Sequence, residues 1–93
     1  MRIASHPGEI LREEFLRPLG LSARKLASEI GTPQNRLSEI IRGRRGVTAD
    51  TALRLARRFD TSPHFWMNLQ AGYDLSVAAS RNDYTSIKPP QAA

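Results

Sequence analysis

Apolar side chains recur at three- and four-residue spacing in five stretches of this 93-residue chain, and no stretch shows the alternation of a strand. This spacing predicts five helices, at about residues 9–16, 23–30, 33–42, 49–59 and 63–77. From residue 80 the chain is polar and has no core periodicity, which predicts an extended or flexible tail over residues 80–93. The expected fold is therefore all-α, with one domain over residues 1–79.

Residues 22–42 have the capping signals of two short helices joined by a tight turn. Ser22 can cap the first of them, and Gly31 can end it in the left-handed conformation. Thr32 can cap the next helix, with Pro33 at its first position. The two apolar stripes consist of Leu26, Ala27 and Ile30 and of Leu37, Ile40 and Ile41. Since so short a joint makes the helices cross steeply, the pair predicts a helix-turn-helix, and its small-residue and glycine spacing resembles the phage-repressor class.

Breaker and cap residues predict the ends of the other three helices. Pro18 and Gly20 should end the first helix, Thr48 should cap the fourth, and Ser62 with Pro63 should open the fifth. The side chains expected to face the core are Ile10, Leu11 and Phe15 on the first helix, Ala52, Leu55, Ala56 and Phe59 on the fourth, and Phe65, Trp66, Leu69 and Tyr73 on the fifth.

Positive charge is concentrated in the first part of the chain. The sequence has 14 basic and 9 acidic residues, a formal net charge of +5. Positions 1–58 hold 12 basic and 6 acidic residues, whereas positions 59–93 hold two and three. A basic front end suits contact with DNA phosphates, and a near-neutral back end suits contact with protein. An arginine-rich surface can also be merely solvated, but the Arg-Gly-Arg-Arg-Gly cluster at 42–46, directly after the third helix, favours DNA.

The sequence lacks the patterns of an enzyme, a metal site or a membrane protein. There is no cysteine, and His6 and His64 each lie beside a proline near a helix start, where a cap or a surface role is expected. Glu13 and Glu14 are adjacent, so on a helix their carboxylates point in different directions. Neither a phosphate-binding glycine loop, nor metal-ligand spacing, nor a membrane-length apolar run, nor a signal peptide is present. We therefore expect no catalysis, no cofactor, no metal and a cytoplasmic location.

The polar face of the third helix has the chemistry of a major-groove reader. Gln and Asn side chains can each form two hydrogen bonds with adenine, Glu can accept one from cytosine, and Ser can contact several bases. Base reading is predicted for Gln34, Asn35, Ser38 and Glu39. Phosphate contacts are predicted for Arg36, Arg42, Arg44 and Arg45. The alternative is a polar face that only meets water.

Operator binding also predicts a homodimer. One recognition helix covers only a few base pairs, whereas two copies related by a two-fold axis can occupy successive major grooves, roughly 34–36 Å apart, on a palindrome. The helix after Pro63 is aromatic, nearly uncharged and outside the basic region, although Gly72 is expected to weaken or kink it. The predicted interface consists of Phe65, Trp66, Leu69, Tyr73, Leu75 and Val77. Phe65, Trp66 and Leu69 could instead complete the monomer core.

Three blocks of sequence form a distinctive combination: HPGEIL at 6–11, RGVTADTALRL at 45–55 and SPHFWMNLQ at 62–70. Together they resemble the HigA family of antitoxins over about residues 5–78, although His64 stands where the family more often has an acidic residue. The resemblance implies an antitoxin of a bacterial type II toxin–antitoxin module. Such a dimer represses its own operon and neutralises a HigB toxin, a RelE-like ribosome-dependent mRNA nuclease.

Two other functions fit the same residues. A stand-alone transcriptional repressor without a toxin would need the same basic helix-turn-helix. A protein-interaction module whose helical surface never meets DNA would need the same apolar periodicity. A neighbouring gene for a small basic nuclease would favour an antitoxin over a stand-alone repressor. A DNA-binding assay would separate both of these functions from a protein-interaction module.

Overall fold

The computed structural model describes residues 2–91, which form five helices and no strand. Helix α1 spans residues 7–19 as three continuous parts: an α-helical turn Pro7–Ile10, a π-helical segment Leu11–Leu16 and a final turn Arg17–Leu19. The other helices are α2 (Ala23–Ile30), α3 (Gln34–Ile41), α4 (Ala49–Phe59) and α5 (Pro63–Arg81). The predicted all-α class with five helices is confirmed.

Three predicted hydroxyl caps are present. Ser22, Thr48 and Ser62 accept hydrogen bonds from backbone N–H groups three residues later, at 3.1, 3.3 and 3.1 Å. Gly31 ends α2 with a φ of 70°, as expected for a left-handed terminus.

Thr32 was expected to cap α3, and this expectation is wrong. Pro33 occupies the position before α3, and no side chain caps the helix there. Because α3 begins at Gln34, Thr32 lies one position too early to cap it, and its N–H donates to the Ala27 carbonyl at 3.0 Å at the end of α2. Thr32 is consequently buried at the turn between the two helices.

Pro18 was expected to end α1, but the helix continues through it to Leu19. The segment before Pro18 is π-helical, and the Arg17 N–H bonds to the Arg12 carbonyl five residues earlier. A π-helical turn is wider than an α-helical one, so the proline ring avoids the carbonyl that it would meet in a regular α-helix. Gly20, with a φ of 60°, then ends the helix as predicted.

Gly72 does not interrupt α5, which continues through it to Arg81. The helix therefore passes the proposed domain boundary at residue 79. Residues 82–91 are exposed and non-helical, with one turn in which the Ile87 N–H bonds to the Tyr84 carbonyl at 3.0 Å. The division into a domain and a tail stays a prediction.

The core is built around the indole of Trp66, which is completely buried. Its Nε1–H donates to the Thr61 hydroxyl at 2.8 Å, so its one polar group is satisfied. Phe15 and Phe65 pack against it, with ring centroids 5.1 and 5.0 Å away. Phe65 is nevertheless 37% exposed, so it lies at the edge of the core. The other buried apolar residues are Leu11, Leu16, Leu26, Ala27, Ile30, Leu37, Ile40, Val47, Ala52, Leu55 and Ala56.

Helix α1 meets the end of α3 backbone to backbone at Gly8. A Cβ at this position would lie 1.8 Å from the carbonyl oxygen of Ile40, so only glycine permits the approach. Gly8 and its neighbour Pro7 are both buried there. The contact fixes the C-terminal end of α3 relative to α1.

We expect Gly8→Ala to lower the free energy of unfolding by about 1–3 kcal/mol or more, because neither backbone can move aside cheaply. Gly72→Ala is the matched control, since a Cβ there meets nothing within 4 Å. The control should raise the free energy of unfolding by about 0.5–1 kcal/mol through helix propensity. Urea unfolding followed by circular dichroism measures both. Equal stability of the two variants would contradict the close approach.

Candidate nucleic-acid interface

Helix α3 separates its apolar residues from the predicted base readers. Leu37 and Ile40 are completely buried, and Ile41 is half-buried beside them. Gln34 and Asn35 are exposed at the start of the helix, while Ser38 and Glu39 are half-exposed further along. The burial pattern thus leaves the predicted reading face open.

Most of the predicted DNA residues lie together around one shallow depression. Its lining consists of Gln34, Asn35, Ser38, Glu39, Arg42 and Arg44. Arg36 is exposed on α3 but does not line the depression, and neither does Arg45. The structure therefore brings all four predicted base readers together with two of the four predicted phosphate-binding arginines.

Glu39 and Arg45 form an ion pair within this region. The Nε and Nη2 atoms of Arg45 donate to Oε1 of Glu39 at 3.1 and 2.9 Å. Both side chains are about half exposed, so the pair contributes at most about 1 kcal/mol to stability. The prediction treated the two residues as independent contacts, whereas here one oxygen of the Glu39 carboxylate is already occupied by Arg45.

Residues 42–48, which we call the arginine loop, connect α3 to α4. Gly43 turns the chain with a φ of 76°, and the Arg44 N–H donates to the Glu39 carbonyl at 2.8 Å. This turn places Arg45 beside a residue six positions earlier. The glycine after the helix was the available sequence signal for the reversal.

Gln70 on α5 contacts the arginine loop, and the sequence reasoning missed this residue. Its Oε1 accepts the N–H of Val47, in the arginine loop, at 2.7 Å. Its Nε2 donates to Oδ1 of Asp74 at 2.9 Å. A Cβ at Gly46 would lie 3.1 Å from the Gln70 amide, so the loop backbone packs closely on it. Gln70 belongs to the third sequence block, but helical periodicity gives no indication of this contact.

Two arginines of α4 connect this helix to α2. The Nη1 of Arg54 donates to the Ile30 carbonyl at 2.7 Å, and its Nε donates to Asp50 at 2.9 Å. The Nε of Arg58 donates to Glu29 at 2.9 Å. These contacts join the first helix of the helix-turn-helix to the helix that follows the arginine loop.

His6 caps α1, in agreement with the expectation of a cap or a surface role. Its Nδ1 accepts the N–H of Gly8 at 2.9 Å, and its ring meets the Tyr73 ring at a centroid distance of 4.8 Å. Burial lowers the pKa of His6 below its usual value, and the nearby Asp74 carboxylate opposes this shift. The neutral ring is the form that can accept this hydrogen bond.

The predicted dimer residues on α5 divide into core and surface. Trp66 was included wrongly, because the fully buried indole has no surface to offer a second copy. Leu69 and Val77 are half-buried, and Tyr73 is half-covered by His6. Leu75 is 71% exposed and, with Phe65, offers the apolar surface of this helix.

Across residues 2–91, no group of His, Cys, Asp and Glu side chains is arranged to hold a metal ion. None of the helices in this part of the chain combines the length and the hydropathy that a membrane crossing requires.

Comparison with known proteins gives consistent matches. A family model described as helix-turn-helix matches residues 11–66. Virulence-associated protein I of Dichelobacter nodosus is 55% identical over 87 residues, which cover 94% of this chain and 81% of that protein.

Two solved structures with DNA are also similar. A Pseudomonas aeruginosa protein in complex with its 18-bp operator DNA has a TM-score of 0.92 and 44% identity, covering 97% of this chain and 99% of that one. The Pseudomonas aeruginosa antitoxin HigA with the higBA promoter has a TM-score of 0.88 and 44% identity, covering 91% of this chain and 96% of that one.

Proposed function

Because this chain belongs to the HigA family of helix-turn-helix proteins, we propose that it binds operator DNA and represses its own operon. The family is one of DNA-binding proteins and not of enzymes. The observation that carries the proposal is the grouping of four polar α3 side chains with Arg42 and Arg44 around one depression. The two similar proteins bound to operator and promoter DNA support it.

In the proposed complex, α3 lies in the major groove. Its N-terminal residues, Gln34 and Asn35, reach base edges first, and Ser38 and Glu39 follow one turn later. Arg42 and Arg44, just beyond the helix, bind phosphates and set the register of the helix on the duplex. Glu39 can still accept from a cytosine, through the carboxylate oxygen that Arg45 does not occupy.

The active form in this proposal is a homodimer on a palindromic operator. Leu75 and Phe65 on α5 are exposed apolar side chains, and they lie outside the depression on α3. Pairing of α5 helices would leave both recognition helices free for DNA. Leu69, Tyr73 and Val77 would contribute the surface that remains half-exposed.

Neutralisation of a HigB-like, mRNA-cleaving toxin is the second part of the proposal. It is supported by membership of the HigA family, whose Pseudomonas aeruginosa member is named as an antitoxin. The same protein would then repress the operon and bind the toxin, and it would control the amounts of both antitoxin and toxin.

We expect Asn35→Ala to cost about 1–3 kcal/mol of operator affinity and to relax specificity at one base position. Arg44→Ala should instead weaken binding to operator and random DNA equally, and lower the salt slope by about one unit. Titrations with the DNA upstream of the gene and with random DNA, at several salt concentrations, measure both. If Asn35→Ala loses the same affinity for operator DNA as for random DNA, the base-reading assignment is wrong.

We expect Leu75→Arg to give a folded monomer with much weaker operator binding, because a charge replaces an apolar contact. Leu53→Arg is the matched control, since Leu53 is 59% exposed on α4 and should leave the dimer intact. Light scattering reports the oligomeric state. A Leu75→Arg protein that stays dimeric would place the interface elsewhere.

We expect the product of the neighbouring gene to co-purify with this chain and to lose its growth toxicity on co-expression. Arg44→Ala should weaken DNA binding but leave this neutralisation unchanged, which separates the two activities. A neighbouring product that neither binds this chain nor affects growth would leave a stand-alone repressor as the function.

A further inference from the structure

We propose that Gln70 is a positioning residue for DNA binding, which holds the arginine loop so that Arg44 and Arg45 can reach phosphates. The inference rests on the proposed function of α3, but it concerns α5, on the other side of the loop. It assigns a role in DNA affinity to Gln70, the last residue of the sequence block SPHFWMNLQ at 62–70.

The arginine loop is anchored at both ends. At the α3 end, the N–H groups of Gly43 and Arg44 donate to the carbonyls of Ile40 and Glu39, at 3.0 and 2.8 Å. At the α4 end, the Val47 N–H donates to Gln70. Only Arg45 and Gly46 lie between the two anchors, so the second anchor limits how far the loop backbone beyond Arg44 can move.

The second anchor depends on Gln70. Val47 is only 4% exposed, and among residues 2–91 its N–H has no other hydrogen-bond acceptor. Without the Gln70 carbonyl, this donor would be buried and unsatisfied unless the loop moved to expose it to water. Loss of the side chain should therefore displace the loop.

Asp74 determines which end of the Gln70 amide faces the loop. Its carboxylate can only accept, so it takes the Nε2–H of Gln70 and leaves Oε1 to accept from Val47. In the flipped orientation, two donors would meet at Val47 and two acceptors at Asp74. Gln70 and Asp74, on successive turns of α5, therefore act together to hold the Val47 N–H, with Asp74 fixing the orientation of the Gln70 amide.

The experiment compares Gln70→Ala, Q70E, D74N and the double variant Q70E/D74N. The double variant exchanges donor and acceptor, keeps the net charge and allows the same two hydrogen bonds. Asn68→Ala is the control, because Asn68 is exposed on the same helix and forms no hydrogen bond through its side chain in the described part of the chain. Measurements at pH 8 keep His6 neutral, since its pKa lies below the usual value.

Three readouts are taken: affinity for upstream and random DNA, the salt slope, and hydrogen exchange of the Val47 amide. We expect Gln70→Ala to weaken binding to both DNAs by about three- to tenfold, and to lower the salt slope by up to about one unit. The Val47 amide should exchange about tenfold faster in this variant. Q70E keeps an acceptor for the Val47 N–H but sets two carboxylates against each other, so it should lose part of the affinity and of the exchange protection. Q70E/D74N should largely recover both. Asn68→Ala should match the wild type.

A merely structural role would lower thermal stability but leave the affinity of the folded variants for both DNAs unchanged. The proposal is overturned if the Val47 amide keeps its protection in Gln70→Ala, or if protection is lost and DNA affinity is unchanged. It is also overturned if adding D74N to Q70E does not restore DNA affinity and Val47 protection, because the negative charge of Glu at position 70 would not then be acting through Asp74. If Gln70→Ala does not fold, the comparison of Q70E with Q70E/D74N decides. A wild-type protein that binds neither DNA would overturn the proposed function as well.

Discussion

The position of α3 depends on a backbone contact between Gly8 in α1 and the Ile40 carbonyl at the end of α3. A side chain at Gly8 would collide with that carbonyl, so at this point the two backbones are in contact and no side chain separates them. Leu37 and Ile40 are completely buried on the same side of α3. The exposed face of α3, with Gln34 and Asn35, therefore has a fixed orientation relative to the rest of the domain.

Pairing with acidic residues distinguishes three sets of arginines. Arg54 pairs with Asp50 within α4 and reaches α2 through the Ile30 carbonyl, and Arg58 joins α4 to α2 through Glu29. Arg45 binds Glu39 on the interface itself. Arg42 and Arg44 line the depression beside α3, where no described carboxylate pairs with them. A net charge of +5 is thus an incomplete guide to the DNA surface, because part of the basic charge stabilises the scaffold.

Helix α5 combines three tasks along its 19 residues. Trp66 fills the core, Gln70 contacts the arginine loop, and Leu75 offers an exposed apolar surface. Trp66 and Gln70 are four positions apart and lie on the same face, one turn apart, whereas Leu75, five positions further on, points in a different direction. The hydrogen bond between Gln70 and Val47 therefore links the helix that carries the proposed dimer surface to the loop beside the proposed DNA surface.

The sequence by itself determined the five helices, most of their caps and the polar reading face of α3. These features depend on contacts within three or four positions along the chain, and residues such as Ser22, Gly31, Thr48 and Ser62 act through them directly. The shared face of Gln34, Asn35, Ser38 and Glu39 follows from the same helical period, whereas Arg44 reaches the depression through the turn at Gly43.

Tertiary structure alone decided which polar residues pair and which aromatic residues are buried. Val47 and Gln70 lie 23 positions apart, Ile30 and Arg54 24, and Glu29 and Arg58 29, so no local period encodes their contacts. The burial of Trp66 and the passage of α1 through Pro18 likewise depend on packing and on a local change of helix type. Periodicity predicts which face of a helix is apolar, but only the packed neighbours determine whether that face meets the core or remains at the surface.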